Sequence, residues 1–190
     1  MPLRPWIILI GAGLAACSTE GHPLLDGDCG EYVGLGADEL DLGDGITLHV
    51  TQDEEAVYVC LPLPEDSFGM MDIEIDTPEL AAPLNLHISA QLGEWPLGES
   101  GPDSPNSDAW WATEGWFANT AYFNGMTDYD GQPGPRFKSA KGREVVLSKA
   151  RFGRGLWELR FRISGIMVGD ESRSVTYPDT GNDPFALMSD

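Results

Sequence analysis

At 190 residues, with 31 acidic against 11 basic side chains and a formal net charge of -20, the chain is long enough for one domain with a sizeable core. A field of that sign repels nucleic acid and anionic membrane surface, so neither is expected as a partner. It attracts cations, although acidity of this kind also serves solubility or salt adaptation.

The chain opens on a targeting pattern. Arg4 precedes an apolar run from Trp6 to Ile10 that continues through small residues to Leu14, Ala15 and Ala16, directly before Cys17. That is the form of an export signal, and the run is well short of the roughly 20 apolar residues a spanning helix needs. Leu14-Ala15-Ala16-Cys17 resembles the lipobox of bacterial lipoproteins, which implies removal of residues 1–16, acylation (palmitate among the chains) of Cys17 and an anchor made stable by several acyl chains. Ser18 after the cysteine resembles the outer-membrane sorting pattern. Residues 17–24 then read as a lipidated tether and residues 25–190 as a single domain. With Cys17 acylated, Cys29 and Cys60 remain as an even pair in an exported, oxidising setting. A disulfide is expected, two buried free thiols being the alternative; metal binding by the pair lacks His or Cys partners at ligand spacing.

Past Leu25-Asp26-Gly27-Asp28-Cys29-Gly30-Glu31-Tyr32, a Gly- and Asp-rich loop is expected from Gly34 to Gly45. Ile46, Leu48 and Val50 alternate with Thr47, His49 and Thr51 as a strand with its polar side chains exposed, and Gln52 to Glu55 reads as a turn. Val57, Val59, Leu61 and Leu63 then share one face of a strand with Tyr58 and Cys60 on the other. Met71, Ile73 and Ile75 alternate with Asp72, Glu74 and Asp76, an apolar face against an acidic one. From Leu84 to Leu92 the alternation predicts one long strand with Asn85, His87, Ser89 and Gln91 outward. Gly93 to Asp108 is expected to be a loop long enough to suggest function or disorder, followed by the aromatic stretch Ala109 to Gly125.

All basic residues after Arg4 lie between Arg136 and Arg173. Arg143 to Leu147 and Leu156 to Ile163 read as strands, the second with Trp157, Leu159, Phe161 and Ile163 on one face and Glu158, Arg160 and Arg162 on the other. Basic strands are expected beside acidic ones, because opposite charges across a sheet help and like charges hurt. A short helical turn is expected near Ser148 to Phe152, and Thr176 to Asp190 reads as an edge strand or a trailing end. Many short strands without intervening helices predict an all-β fold, an antiparallel β-sandwich.

The segments Leu25 to Tyr32, Asp53 to Asp66 (D-E-E-A-V-Y-V-C-L-P-L-P-E-D) and Asp72 to Thr77 (D-I-E-I-D-T) together resemble family 9 carbohydrate-binding modules and their DOMON-like relatives. Their pattern opens I-D-G-x-x-x-E-W; here Leu25 stands for Ile and Tyr32 for Trp, and the likeness covers roughly residues 25–77. It implies a β-sandwich that binds sugar or, in some DOMON-like domains, haem held by Met with His or Lys. Met70, Met71 and His87 could be cast for haem, but Met71 falls on the apolar face and His87 on the polar one, so no cofactor is expected.

Sugar rings stack their C–H faces on indole while their hydroxyls need amide or carboxylate partners. Trp95, Trp110, Trp111, Trp116 and Asn119 are therefore the candidate ligand-binding residues, with Glu94 and Asn124 near in sequence. The other account of the tryptophans is that they cap one end of the sandwich as core. Adjacent Trp110 and Trp111 point opposite ways in extended chain, so one of the two would meet ligand. His22, His49 and His87 lack metal-ligand spacing. Asp26, Asp28 and the Asp128 to Gly131 segment offer oxygen ligands for Ca²⁺ without a full calcium loop, so no metal site is assigned. With no nucleophile elbow, His-rich motif or phosphate loop, the chain is expected to be a non-catalytic lipoprotein of the cell envelope that binds carbohydrate or a similar small ligand. The alternative is a structural or assembly lipoprotein docking an envelope protein.

Overall fold

A computed structural model describes residues 21–65, 67–101, 111–119, 122–138 and 140–190. In chain order the strands are β1 (Asp38–Asp41), β2 (Thr47–Gln52), β3 (Ala56–Pro62), β4 (Met70–Asp76), β5 (Leu84–Ile88), β6 (Leu92–Pro96), β7 (Trp116–Ala118), β8 (Tyr122–Tyr129), β9 (Gln132–Lys138), β10 (Gly142–Ser148), β11 (Gly155–Val168), β12 (Glu171–Tyr177) and β13 (Phe185–Ser189). One helical turn, α1 (Lys149–Phe152), sits between β10 and β11, and the Ser148 hydroxyl accepts from the Ala150 amide to start it. That turn falls where the sequence predicts one.

Two antiparallel sheets pack face to face as a β-sandwich. The first runs β1-β2-β3-β10-β7 and the second β12-β11-β4-β5-β6, with β13 pairing the first part of β11 along the edge that β12 occupies further on. Between them lie the inward sets read from the alternation: Val57, Val59 and Leu61 of β3, Met71, Ile73 and Ile75 of β4, and Trp157, Leu159, Phe161 and Ile163 of β11, all buried. Each such side chain contributes about 1.5–3 kcal/mol by leaving water, so this layer dominates stability. The expected charge pairing also holds: β4 runs antiparallel to β11 with Glu74 opposite Arg160 and Asp72 opposite Arg162.

Four expectations are corrected. The long strand from Leu84 to Leu92 is a hairpin, closed by the Ser89 amide on the Gln91 carbonyl. Ile88 and Leu92 are register partners across that turn and face the same way, so the apolar alternation runs through the reversal unbroken. The loop expected from Gly93 therefore begins with strand, through Pro96. The loop expected between Gly34 and Gly45 contains β1, whose Leu40 is its buried residue. His49, expected exposed, is buried, because the segment from Cys29 to Ala37 lies across the outer face of the first sheet and packs on Tyr58, Cys60 and Ala56. The β8–β9 hairpin, unpredicted, turns at Asp130 and Gly131, both at positive φ, a geometry that favours Asp-Gly.

A disulfide joins Cys29 to Cys60, as the cysteine count predicts, and ties the covering segment to β3. Closing a loop of 31 residues stabilises the fold by about 3.5 kcal/mol in the chain-entropy description. Cys29→Ala/Cys60→Ala is expected to lose about that much in urea denaturation, and wild type in reductant should match the variant. Equal midpoints for oxidised wild type and variant would refute the assigned role.

Candidate functional site

The antiparallel pairing that buries Met71, Ile73 and Ile75 turns Asp72, Glu74 and Asp76 to the outer face of the second sheet. Asn85 and His87 of β5, Arg160 and Arg162 of β11 and Trp95 of β6 join them there, because Asn85 is opposite both Glu74 and Trp95 while Asp72 is opposite both His87 and Arg162. His87 Nδ1 donates to Asp72 Oδ1 at 2.8 Å and Asn85 Nδ2 donates to the same oxygen at 3.1 Å. Arg162 donates to Asn85 Oδ1 at 2.9 Å and pairs with Glu74 at 3.2 Å. Burial works against ionisation of Asp72, but the hydrogen bonds from His87 and Asn85, with the charges of His87 and Arg162, hold its carboxyl below the usual carboxylate range. The row is polar and fixed in place by its own bonds.

Two tryptophans close one end of this row. The His87 ring lies 5.7 Å from Trp95, tilted, and 5.8 Å from Trp111, edge-on, with both indoles half-buried. Gly101 runs against the six-membered ring of Trp95 so closely that an added Cβ would meet it at 2.9 Å. Beyond Glu74 the same face holds a depression of about 150 Å³, walled by Asp76, Arg160, Pro83 and Leu97. Indole faces, carboxylates and two guanidinium groups thus share one surface, with the Asn85 amide buried beneath it.

Of the residues predicted to bind, the structure brings Trp95 and Trp111 together and takes Trp116 and Asn119 elsewhere. Trp116 is buried in the core. Its Nε1 donates to Glu94 Oε2 at 2.6 Å, and Arg151 donates to Glu94 Oε1 at 2.9 Å. Glu94 belongs to the edge strand β6 and Trp116 to the edge strand β7, so this bond clasps the two sheets along one side. Asn119 serves the backbone: Nδ2 donates to the Gly142 carbonyl and Oδ1 accepts from the Glu144 amide, fastening the end of β7 to β10. Trp110 and Cys17 lie outside the described residues, as does the rest of the export signal. Met71 is buried in the core while His87 faces out, so the two cannot share a haem. Sequence reasoning had the outward residues of β4, β5 and β11 in hand but not their convergence, because strand order carries no local signal.

These features define an antiparallel β-sandwich with one outer face sheathed and the other partly open, carrying aromatic and charged groups. No protein-family model matches the sequence, and no curated protein matches it. Among solved structures the chain is similar to a carbohydrate binding module family 9 (CBM9) from Caldicellulosiruptor kristjanssonii in complex with cellotriose, with 10% sequence identity and a TM-score of 0.45 over 85% of this chain and 83% of that one. The fold assignment rests on this chain's own strand pairing.

A larger concavity, about 650 Å³, lies at the β2–β3 turn, with Asp53, Tyr58, Lys149 and Arg154 in its wall. Its polar groups are engaged with one another. Lys149 Nζ donates to Gln52 Oε1 and the Asp53 carbonyl, Arg154 donates to the Glu54 carbonyl, and Tyr58 donates to Asp53. Partial burial opposes ionisation of Asp53, yet hydrogen bonds from Tyr58, His22 and the amides of Glu55 and Ala56 outweigh it and bring its carboxyl down to about 2. A carboxyl lowered in the folded state contributes stability that is present above the unfolded value near 3.8 and lost as pH falls through 2. After discounting for solvent screening that contribution is about 1 kcal/mol. In urea denaturation Asp53→Asn should be less stable than wild type by about that amount at neutral pH, with the gap closing below about pH 2; a gap that persists there would show that the ionised carboxylate is not its source.

Proposed function

We propose that this protein is a lipid-anchored component of the cell envelope whose β-sandwich binds carbohydrate, without turning it over, on the outer face of the second sheet. The observation that carries the reading is the convergence of Trp95 and Trp111 on His87 at the end of the Asp72, Asn85, Glu74 and Arg162 row. Indole accepts the C–H face of a pyranose, and carboxylate and guanidinium groups meet its hydroxyls with charge-assisted hydrogen bonds. Asp72, held ionised, is suited to accept such bonds and unsuited to act as a general acid.

Anchoring follows from the residue pattern before Cys17. Expressed in a bacterial host with a clickable palmitate analogue, the protein should incorporate label that disappears in Cys17→Ser; label retained in that variant would overturn the anchor.

Binding is tested by intrinsic tryptophan fluorescence against a panel of envelope and plant polysaccharide fragments. A saturable shift should weaken about tenfold or more, equivalent to about 1.4 kcal/mol, in Trp95→Ala and in Trp111→Ala. Trp116→Ala should instead lower stability by about 3–5 kcal/mol, the usual cost of emptying a core indole site. A folded wild type that responds to no glycan refutes the reading. It would favour the second account, a docking protein, for which Leu156 and Met188 are the specific observation: register partners across β11 and β13, both exposed.

A further inference from the structure

The end of the sandwich that carries the β2–β3 turn is also where the chain enters the fold. Gly21 and Pro23 stand in the wall of the concavity of about 650 Å³, with Gln52, Lys149, Arg154 and Asp190. His22 Nδ1 is hydrogen-bonded to Asp53 Oδ2 at 2.5 Å, and the Leu24 amide donates to Glu31 Oε1 at 3.1 Å, so the entering segment is fastened at this end. The last residues of the chain reach the same place. Gln52 Nε2 donates to the Met188 carbonyl and Lys149 Nζ to that of Asp190, while Leu156 is the register partner of Met188.

Around this end large apolar side chains face water. Leu24 is 66% exposed, Val33 67%, Leu156 45% and Met188 57%. Leu24 and Val33 adjoin Pro23 and Gly34 of the concavity wall on the sheathed side, and Leu156 and Met188 lie on the outer face of the second sheet. Exposed apolar groups gathered at one place mark a surface that meets something other than water. The charges beside them are mixed: Asp53, Glu54, Glu55 and Asp190 against Lys149 and Arg154. With no cationic excess here and a net charge of -20 on the whole chain, an anionic surface is not the partner.

We infer that this end of the sandwich is a bilayer-contacting face, set against a zwitterionic lipid surface, with Leu24, Leu156 and Met188 entering the interfacial region. The inference rests on the anchoring at Cys17 proposed above. Cys17 and Gly21 are four residues apart, a reach of no more than about 14 Å, so a domain anchored there keeps this end beside the headgroups. So short a leash presents the exposed side chains to the surface at high effective concentration, and a few apolar groups then suffice for contact. The outward residues of β11 follow one another away from the lipid, Leu156 first and Arg162 about 20 Å further along the strand. Arg162 is level with Asp72 and His87 in the register, so this orientation holds the cluster of His87, Trp95 and Trp111 clear of the bilayer.

The test uses the full lipidated chain in phosphatidylcholine vesicles. An environment-sensitive nitrobenzoxadiazole label is placed on one introduced thiol, in Leu24→Cys, Leu156→Cys or Met188→Cys, or in Phe68→Cys between β3 and β4 at the opposite end, where the side chain is 72% exposed. Quenching by spin-labelled lipid should be about threefold or more stronger at 24, 156 and 188 than at 68, as expected for side chains at interfacial depth. Equal quenching overturns the face and returns Leu156 and Met188 to a protein partner. Vesicle flotation reads the anchor separately: a chain that does not float overturns anchoring and face together, whereas one that floats without contrast in quenching overturns the face alone. Hydrogen exchange follows the unlabelled protein. On vesicles, residues 21–25 and 52–55 of wild type should exchange about threefold or more slowly than in Leu156→Ser/Met188→Ser, and equal rates overturn the face.

Discussion

The structure depends first on the pairing of β4 with β11. That single seam sets Met71, Ile73 and Ile75 beside Ile163, Phe161 and Leu159 on the inner face and, by the twofold period of a strand, Asp72 and Glu74 beside Arg162 and Arg160 on the outer one. The two faces contribute unequally. Burying the inner six side chains is worth many kcal/mol, while the ion pairs of Glu74 with half-exposed Arg162 and with more buried Arg160, at 3.2 and 3.9 Å, are each worth about 1 kcal/mol or less. The outer charges act on register instead. A slip of one residue would bury four charges and expose the core set, which is why the pairing is unambiguous.

The sandwich treats its two outer faces differently, and the proposed function rests on the difference. The first sheet is sheathed by the segment that the Cys29–Cys60 disulfide fastens to β3, so Tyr58, Cys60 and His49 are buried on both sides. The second sheet keeps its polar row, with Arg162 half-exposed and Trp95 and Trp111 partly so. Its groups are prearranged: His87, Asn85 and Arg162 hold Asp72 and Glu74 in place by bonds among themselves, which would limit the ordering that the proposed binding requires. Sheathing has its own consequence, since it encloses Glu144 while Asp26 beside it stays exposed and Glu31 half-buried.

Aromatic residues that look alike in sequence part company in the fold. Trp95 and Trp116 both belong to edge strands, yet β6 turns Trp95 outward with Asn85 while β7 turns Trp116 into the core, where Glu94 takes its N–H. Clasping the open side of a sandwich and offering a stacking surface require opposite orientations of the same side chain. Neither composition nor spacing distinguishes them, because a strand's inward face is defined only by what packs against it.

Sequence alone determined the features that depend on near neighbours along the chain. Alternation assigned the faces of β3, β4 and β11, the cysteine count paired Cys29 with Cys60, Ser148 started α1, and Asp53 made the turn of Gln52 to Glu55. Even its error over Leu84 to Leu92 was local: alternation passes through a tight hairpin whose flanking residues are register partners. Charge complementarity set β11 beside β4, but only the tertiary structure decided the other strand neighbours, and with that the meeting of Trp95, His87 and Trp111, the burial of His49 and Trp116, and the approach of Asp26 and Glu31 to Glu144. The physical reason is that a strand's own periodicity says which side is apolar, whereas its partner is chosen by the packing of the whole sandwich, among residues as far apart in sequence as Met70 and Ser164.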